Sequence, residues 1–245
     1  MNNTVLVQKH GNVFKWVRWA PTLDTAIALA SLILMILAYY AATHWLISQV
    51  KSILVFGVLT NLILNVLLPV WWISYYRRQP LSELGITTHH WISSLIIGTL
   101  LAIFTALGFW QMADGVDWVP HLLFNAVCFW EPFFVYGWLQ LRFDRAFGIL
   151  PGIILTGLSF TAYHIGTYSS SGLLVLFISG LFYAVVFRIT SNLMIIWPLA
   201  FCFGSAIGTL MGGMQFTWEQ VTSWFVIMLL QFGFISYTWW RQNRL

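Results

Sequence analysis

The strongest constraint in this sequence is the length of its apolar runs. A bilayer core takes about 20 apolar residues in one helix. Eight stretches come up to that scale, roughly 24–46, 52–76, 91–111, 120–141, 149–166, 172–188, 192–211 and 218–240. The connections between them are short, so neighbouring helices should be antiparallel. The pattern predicts an all-α, polytopic transmembrane helix bundle of about eight helices. Residues 1–23 read as an N-terminal cytoplasmic or interfacial segment, and 24–245 as a single transmembrane bundle. Composition closes the other routes. Of the 245 residues, 60% are hydrophobic and only 7% charged, against about a quarter charged in soluble domains. That excludes a cytosolic enzyme, a disordered chain, a nucleic-acid binder and a secreted disulfide scaffold. The lipid bilayer is the expected partner, and nucleic acid is not one.

Basic residues give an orientation. Lys9, Lys15, Arg18, Arg77, Arg78, Arg142, Arg145, Arg188, Arg241 and Arg244 all fall on one side of the predicted bundle, and only Lys51 falls on the other. The excess marks the cytoplasmic face. Both termini are therefore expected in the cytoplasm, with the protein multi-pass in the cell (inner) membrane. Trp16, Trp19, Trp45, Trp71, Trp72, Trp91, Trp110, Trp118, Trp218, Trp239 and Trp240 gather near span ends as an aromatic belt. The stretch Val5–Ala20 mixes aromatic, aliphatic and basic residues, which suits a short interfacial helix. The first span is too long for a signal-peptide core and reads as a retained helix.

Charges inside the bilayer are costly, by at least about 2.5–3.5 kcal/mol on insertion scales, so each is a functional candidate. Asp24, Asp114, Asp117, Asp144 and Glu219 lie at span ends or in loops, where solvation is expected to account for them. His44, His89, His90 and His121 read the same way. Glu131 does not, because it lies mid-span in CFWEPFFVYGWLQ, followed by Pro132, which removes a backbone donor and should bend the helix. His164, in LSFTAYHIG on the fifth span, is the second anomaly. Each is about 16 residues from a turn at 147–148. At 1.5 Å per residue the two share one depth, about 25 Å from that turn. A carboxylate and an imidazole at one level can pass a proton or orient a water; they can also simply lock the hairpin.

Other chemistries have less support. Ser159 and Ser205 lack a neighbouring base, so a Ser–His–Asp set is not expected. Glu131 and His164 supply two of the three protein ligands that zinc usually takes, and no metal or cofactor is expected. Asn61, Asn65 and Asn125 suit hydrogen bonds across helices. Gly204, Gly208 and Gly212 recur every four residues, a face that lets another helix pack closely, with a backbone open to substrate as the lesser reading. Cys128 and Cys202 fall in apolar stretches and read as small buried hydrophobes.

Three segments in order resemble the CPBP (Abi) family of intramembrane proteases, which includes the type II CAAX prenyl endopeptidases. Leu81–Trp91, LSELGITTHHW, is similar to the ELGL-like segment before that family's core. Glu131–Gln140, EPFFVYGWLQ, resembles its first motif, EExxxR. Phe160–His164, FTAYH, matches its second motif, FxxxH. The likeness spans about residues 80–210. It implies an endopeptidase of glutamic type, in which Glu131 and His164 activate water to cut a membrane-associated peptide or protein. The sequence departs from the family in three places. Pro132 stands for the second glutamate, and Tyr136 for the motif arginine. In the third motif, Ala200 or Phe203 stands for the histidine, and Gly204 or Ile207 for its second polar residue. Tyr136, Tyr163 and Ser205 are candidate substitute donors. The alternative implied by those departures is a catalytically degenerate relative that binds a membrane peptide or protein, in an immunity or secretion-accessory role.

Overall fold

A computed structural model describes residues 16–45, 51 and 53–244. Among them the chain forms eight helices and no β-strand. They are α1 (Leu23–His44), α2 (Ile53–Tyr76), α3 (Trp91–Met112), α4 (Trp118–Phe147), α5 (Ile149–Ala162), α6 (Ser170–Thr190), α7 (Leu199–Met211) and α8 (Trp218–Gln242). Six are long and apolar enough to cross a bilayer; α5 and α7 are shorter. This is an all-α, multi-pass membrane protein. The expectation of spans near full length for the fifth and seventh stretches is corrected. Both come to about 20 Å at 1.5 Å per residue, less than the roughly 30 Å hydrocarbon core. Gly166, with φ of 91°, helps turn the chain after α5. Asn192 holds the chain before α7, because its amide donates to the Thr87 and His89 carbonyls at 2.9 Å each.

The second half of α4 is the axis of the bundle. Phe133 to Gln140 are all buried, winding as a π-helix, as befits a helix that is apolar all round. The second half of α4 packs against α1, α2 and α5, while its first half packs against α7 and α8. Gly137 makes one of these contacts possible, since a Cβ there would collide with the Leu84 carbonyl. The Leu81–Leu84 turn is thereby docked on α4. Its Glu83 carbonyl accepts from Arg142 Nη2 at 2.6 Å, and its carboxylate pairs with Arg145.

Several surface expectations change. Asp24, Asp144 and His121 are buried rather than solvated. Asp24 accepts from Trp72 Nε1 at 2.9 Å and pairs with Arg77 at 3.2 Å, and Asp144 faces Arg188 at 3.5 Å. Carboxylates buried at a span end need such partners. His121 Nε2 donates to the Ala206 carbonyl at 3.0 Å, tying α4 to α7. Trp72 is buried by its bond to Asp24, whereas the other belt tryptophans named above are exposed. The proposed interfacial helix at 5–20 lies mostly outside the described residues. Where it is described, residues 16–20 are non-helical and hydrogen-bond to the α4–α5 turn, Arg18 N to Phe147 O at 2.9 Å and Ala20 N to Ala146 O at 2.7 Å.

Candidate active site

Helix α4 is interrupted after Val127, four residues before Glu131. Pro132 explains the position of the break. It has no N–H to give the Cys128 carbonyl, and its ring would crowd that oxygen. Cys128 O accepts instead from Glu131 N at 3.4 Å. The bend therefore lies before the proline, and Glu131 opens the second half of α4 with its side chain buried.

His164 comes from the turn after α5 rather than from a helix, because α5 ends at Ala162. Its Nε2 lies 4.0 Å from Glu131 Oε1. Its Nδ1 is 2.8 Å from the Phe160 carbonyl. A carbonyl only accepts, so Nδ1 carries the hydrogen and Nε2 of the neutral ring is a bare acceptor. Tyr163, adjacent in sequence, donates its hydroxyl to the same Oε1 of Glu131. The Tyr39 ring of α1 lies 5.9 Å, centroid to centroid, from both Tyr163 and His164.

These groups line a cavity of about 410 Å³. Its walls come from α1 through α8 and carry many aromatic rings, with Asn125 of α4 and Ser205 and Thr209 of α7 as a polar strip. Ser205 Oγ donates to Asn125 Oδ1 at 2.7 Å, the cross-helix role expected of Asn125. Glu131, His164, Tyr163 and Ser205 thus share one cavity. Tyr136 does not join them. It is fully buried behind, among Phe187 and Phe201, and its hydroxyl meets no hydrogen-bond partner among the described residues.

The glycine face of α7 has a different use from the one expected. Gly208 meets no other atom within 4 Å of an added Cβ, and it lines the cavity. The expected helix–helix contact at Gly208 is therefore not made, since the neighbouring wall stands back from it. Gly204 and Gly212 instead abut tyrosines, Tyr183 and Tyr168. Nothing in the sequence singles out Tyr39, Tyr168 and Tyr183, which line the cavity. Tyrosine in an apolar run carries no periodic signal that separates a cavity wall from a belt or core position.

The cavity has a definite polarity along the bundle. Its lining draws on the His44 end of α1, the Trp118 end of α4, the Ser170 end of α6 and the loop residues Met214 and Phe216. Arg77, Arg78, Arg142, Arg145, Arg188 and Arg241 all lie at the opposite helix ends. Among the described residues, no three His, Cys, Asp or Glu side chains converge on a possible metal position.

Residues 116–205 match the family model described as type II CAAX prenyl endopeptidase, Rce1-like. The match covers α4 through the start of α7, and so both Glu131 and His164. No curated protein and no solved structure matches the chain.

Proposed function

We propose, starting from a chain that is a CPBP-family, type II CAAX protease-like membrane protein, that it cuts membrane peptides with water activated by Glu131 and His164. One observation carries this reading. Two acceptors, Glu131 Oε1 and the bare Nε2 of His164, face each other at 4.0 Å. A water about 2.8 Å from each satisfies both with its two hydrogens and leaves its lone pairs to the cavity. In the reaction, that oxygen bonds to the scissile carbonyl carbon while Glu131 takes one proton. Glu131 then returns the proton to the leaving nitrogen as the C–N bond breaks. His164 orients the water, and Tyr163 fixes the carboxylate.

The developing oxyanion needs a donor, and Tyr183 is the side chain we assign to it. Its hydroxyl lines the cavity beside Gly204, where an added Cβ would lie 2.5 Å from that oxygen. It makes no hydrogen bond among the described residues, unlike Ser205, whose hydrogen is committed to Asn125. Gly204 is one register of the missing third-motif position, so a tyrosine from α6 stands beside the gap.

With the arginine-rich end cytoplasmic, by the distribution of basic residues, the cavity lies in the outer half of the bilayer. The substrate is then a segment reached from that half. Mass spectrometry of new peptide N-termini in membranes expressing the wild type or Glu131→Gln tests the reading. Termini present only with the wild type, mapping to the outer half of membrane segments, support it; identical sets overturn it. A cavity that holds a peptide without cutting it is the second reading. It is favoured by Ala200, Gly204 and Gly208, which give that wall no side-chain donor of their own.

A further inference from the structure

We propose that the arginine-rich end of the bundle carries a phosphate-binding pocket that takes the headgroup of an anionic phospholipid. A cavity of about 740 Å³ opens there between the end of α2, the Leu81–Leu84 turn and the end of α8. Its charged lining consists of Arg78 and Arg241, with no carboxylate among the lining residues. The ion pairs at this end use Arg77, Arg142, Arg145 and Arg188 instead. A polar cavity whose charges are all guanidinium selects an anion. The hydroxyls of Ser82, Thr87 and Thr88 on the same lining add neutral donors suited to phosphate oxygens.

The pocket is built in advance of any ligand. Gln242 ties its walls together, accepting from Leu81 N at 3.2 Å and donating to the Gln79 carbonyl at 2.9 Å. Arg241 lies 4.8 Å over the Tyr75 ring, a stacking that leaves the N–H edge of a guanidinium available. Arg78 holds φ of 54° at the end of α2, the left-handed position where helices usually place glycine. An arginine there gives up backbone ease and brings a charge to the rim.

Depth argues for a lipid over a soluble phosphate. The pocket lies at the ends of two membrane helices, beside exposed Trp71, Tyr76, Trp239 and Trp240. Such aromatics mark the level of the headgroups, and basic pockets between helices at that level suit anionic headgroups.

Native mass spectrometry of the purified protein in neutral detergent, titrated with dioleoyl phosphatidylglycerol, measures the binding. The Arg78→Gly/Arg241→Gln double variant keeps the backbone, because glycine adopts the positive φ freely; melting without lipid verifies this. The wild type is expected to form a saturable one-lipid adduct, and the double variant to bind at least tenfold more weakly. Arg244→Gln, outside the pocket, should bind as the wild type does. Equal adducts in the wild type and a folded double variant overturn the pocket. Displacement of the lipid by millimolar inorganic phosphate overturns the lipid assignment.

Discussion

Tyr163 donates its hydroxyl to Glu131 Oε1, the same oxygen that faces His164 Nε2 at 4.0 Å. The two residues that hold or face the carboxylate are therefore consecutive in sequence. They reach one point because α5 has ended, so the chain is turning as it passes the site.

Tyrosine hydroxyls near the site separate into two roles, and phenylalanine substitutions tell them apart. Tyr163→Phe removes a hydrogen bond to a buried carboxylate, a loss of about 1–3 kcal/mol in stability. The melting temperature should fall along with the cleavage rate. Tyr183→Phe removes a hydroxyl that makes no hydrogen bond among the described residues, so melting should hold while kcat drops by about two orders of magnitude. A Tyr183→Phe variant with unchanged kcat and KM removes it from the mechanism.

Two glycines should respond oppositely to a methyl group. Gly152→Ala drives a Cβ into the Asp144 carboxylate and backbone, and overpacking of that kind costs about 1–3 kcal/mol. Gly208→Ala meets open space and should leave the melting temperature unchanged. Gly208→Leu should fold and block the cavity, lowering cleavage without lowering yield. Loss of folded protein in Gly208→Leu would restore the helix-contact reading of that face.

The helix count, their order and the depth of Glu131 and His164 are all legible in the sequence. Apolar run length and distance from the Gly148 turn are local quantities that burial leaves intact. What the sequence hides is pairing. Asp144 reads as a solvated span-end residue because Arg188, its partner, lies 44 positions away on another helix. The glycine period of α7 likewise gives a face and not its neighbour. A Cβ added at Gly204 would meet Tyr183, whereas one at Gly208 would find open space, a distinction that the period does not carry. The bend in α4 is legible too, displaced by four residues because a proline disturbs the carbonyl one turn behind it.

The proposed membrane orientation rests on the distribution of basic residues and is open to direct labelling. Single cysteines replacing Gly115 and Arg244, in a background lacking Cys128 and Cys202, report the two faces. A membrane-impermeant maleimide added to intact cells should label position 115 and spare 244. Labelling of 244 alone inverts the protein and moves the cavity to the cytoplasmic half.

In the proposed reaction Glu131 is a base and not a structural strut. The most direct measurement is cleavage of a membrane substrate by purified Glu131→Gln, with the melting temperature taken on the same sample. Gln keeps the size of the side chain and still accepts from Tyr163, but it cannot take a proton from water. Cleavage should fall by at least about a hundredfold at a melting temperature within a few degrees of the wild type. Cleavage at the wild-type rate by a folded Glu131→Gln protein would contradict it.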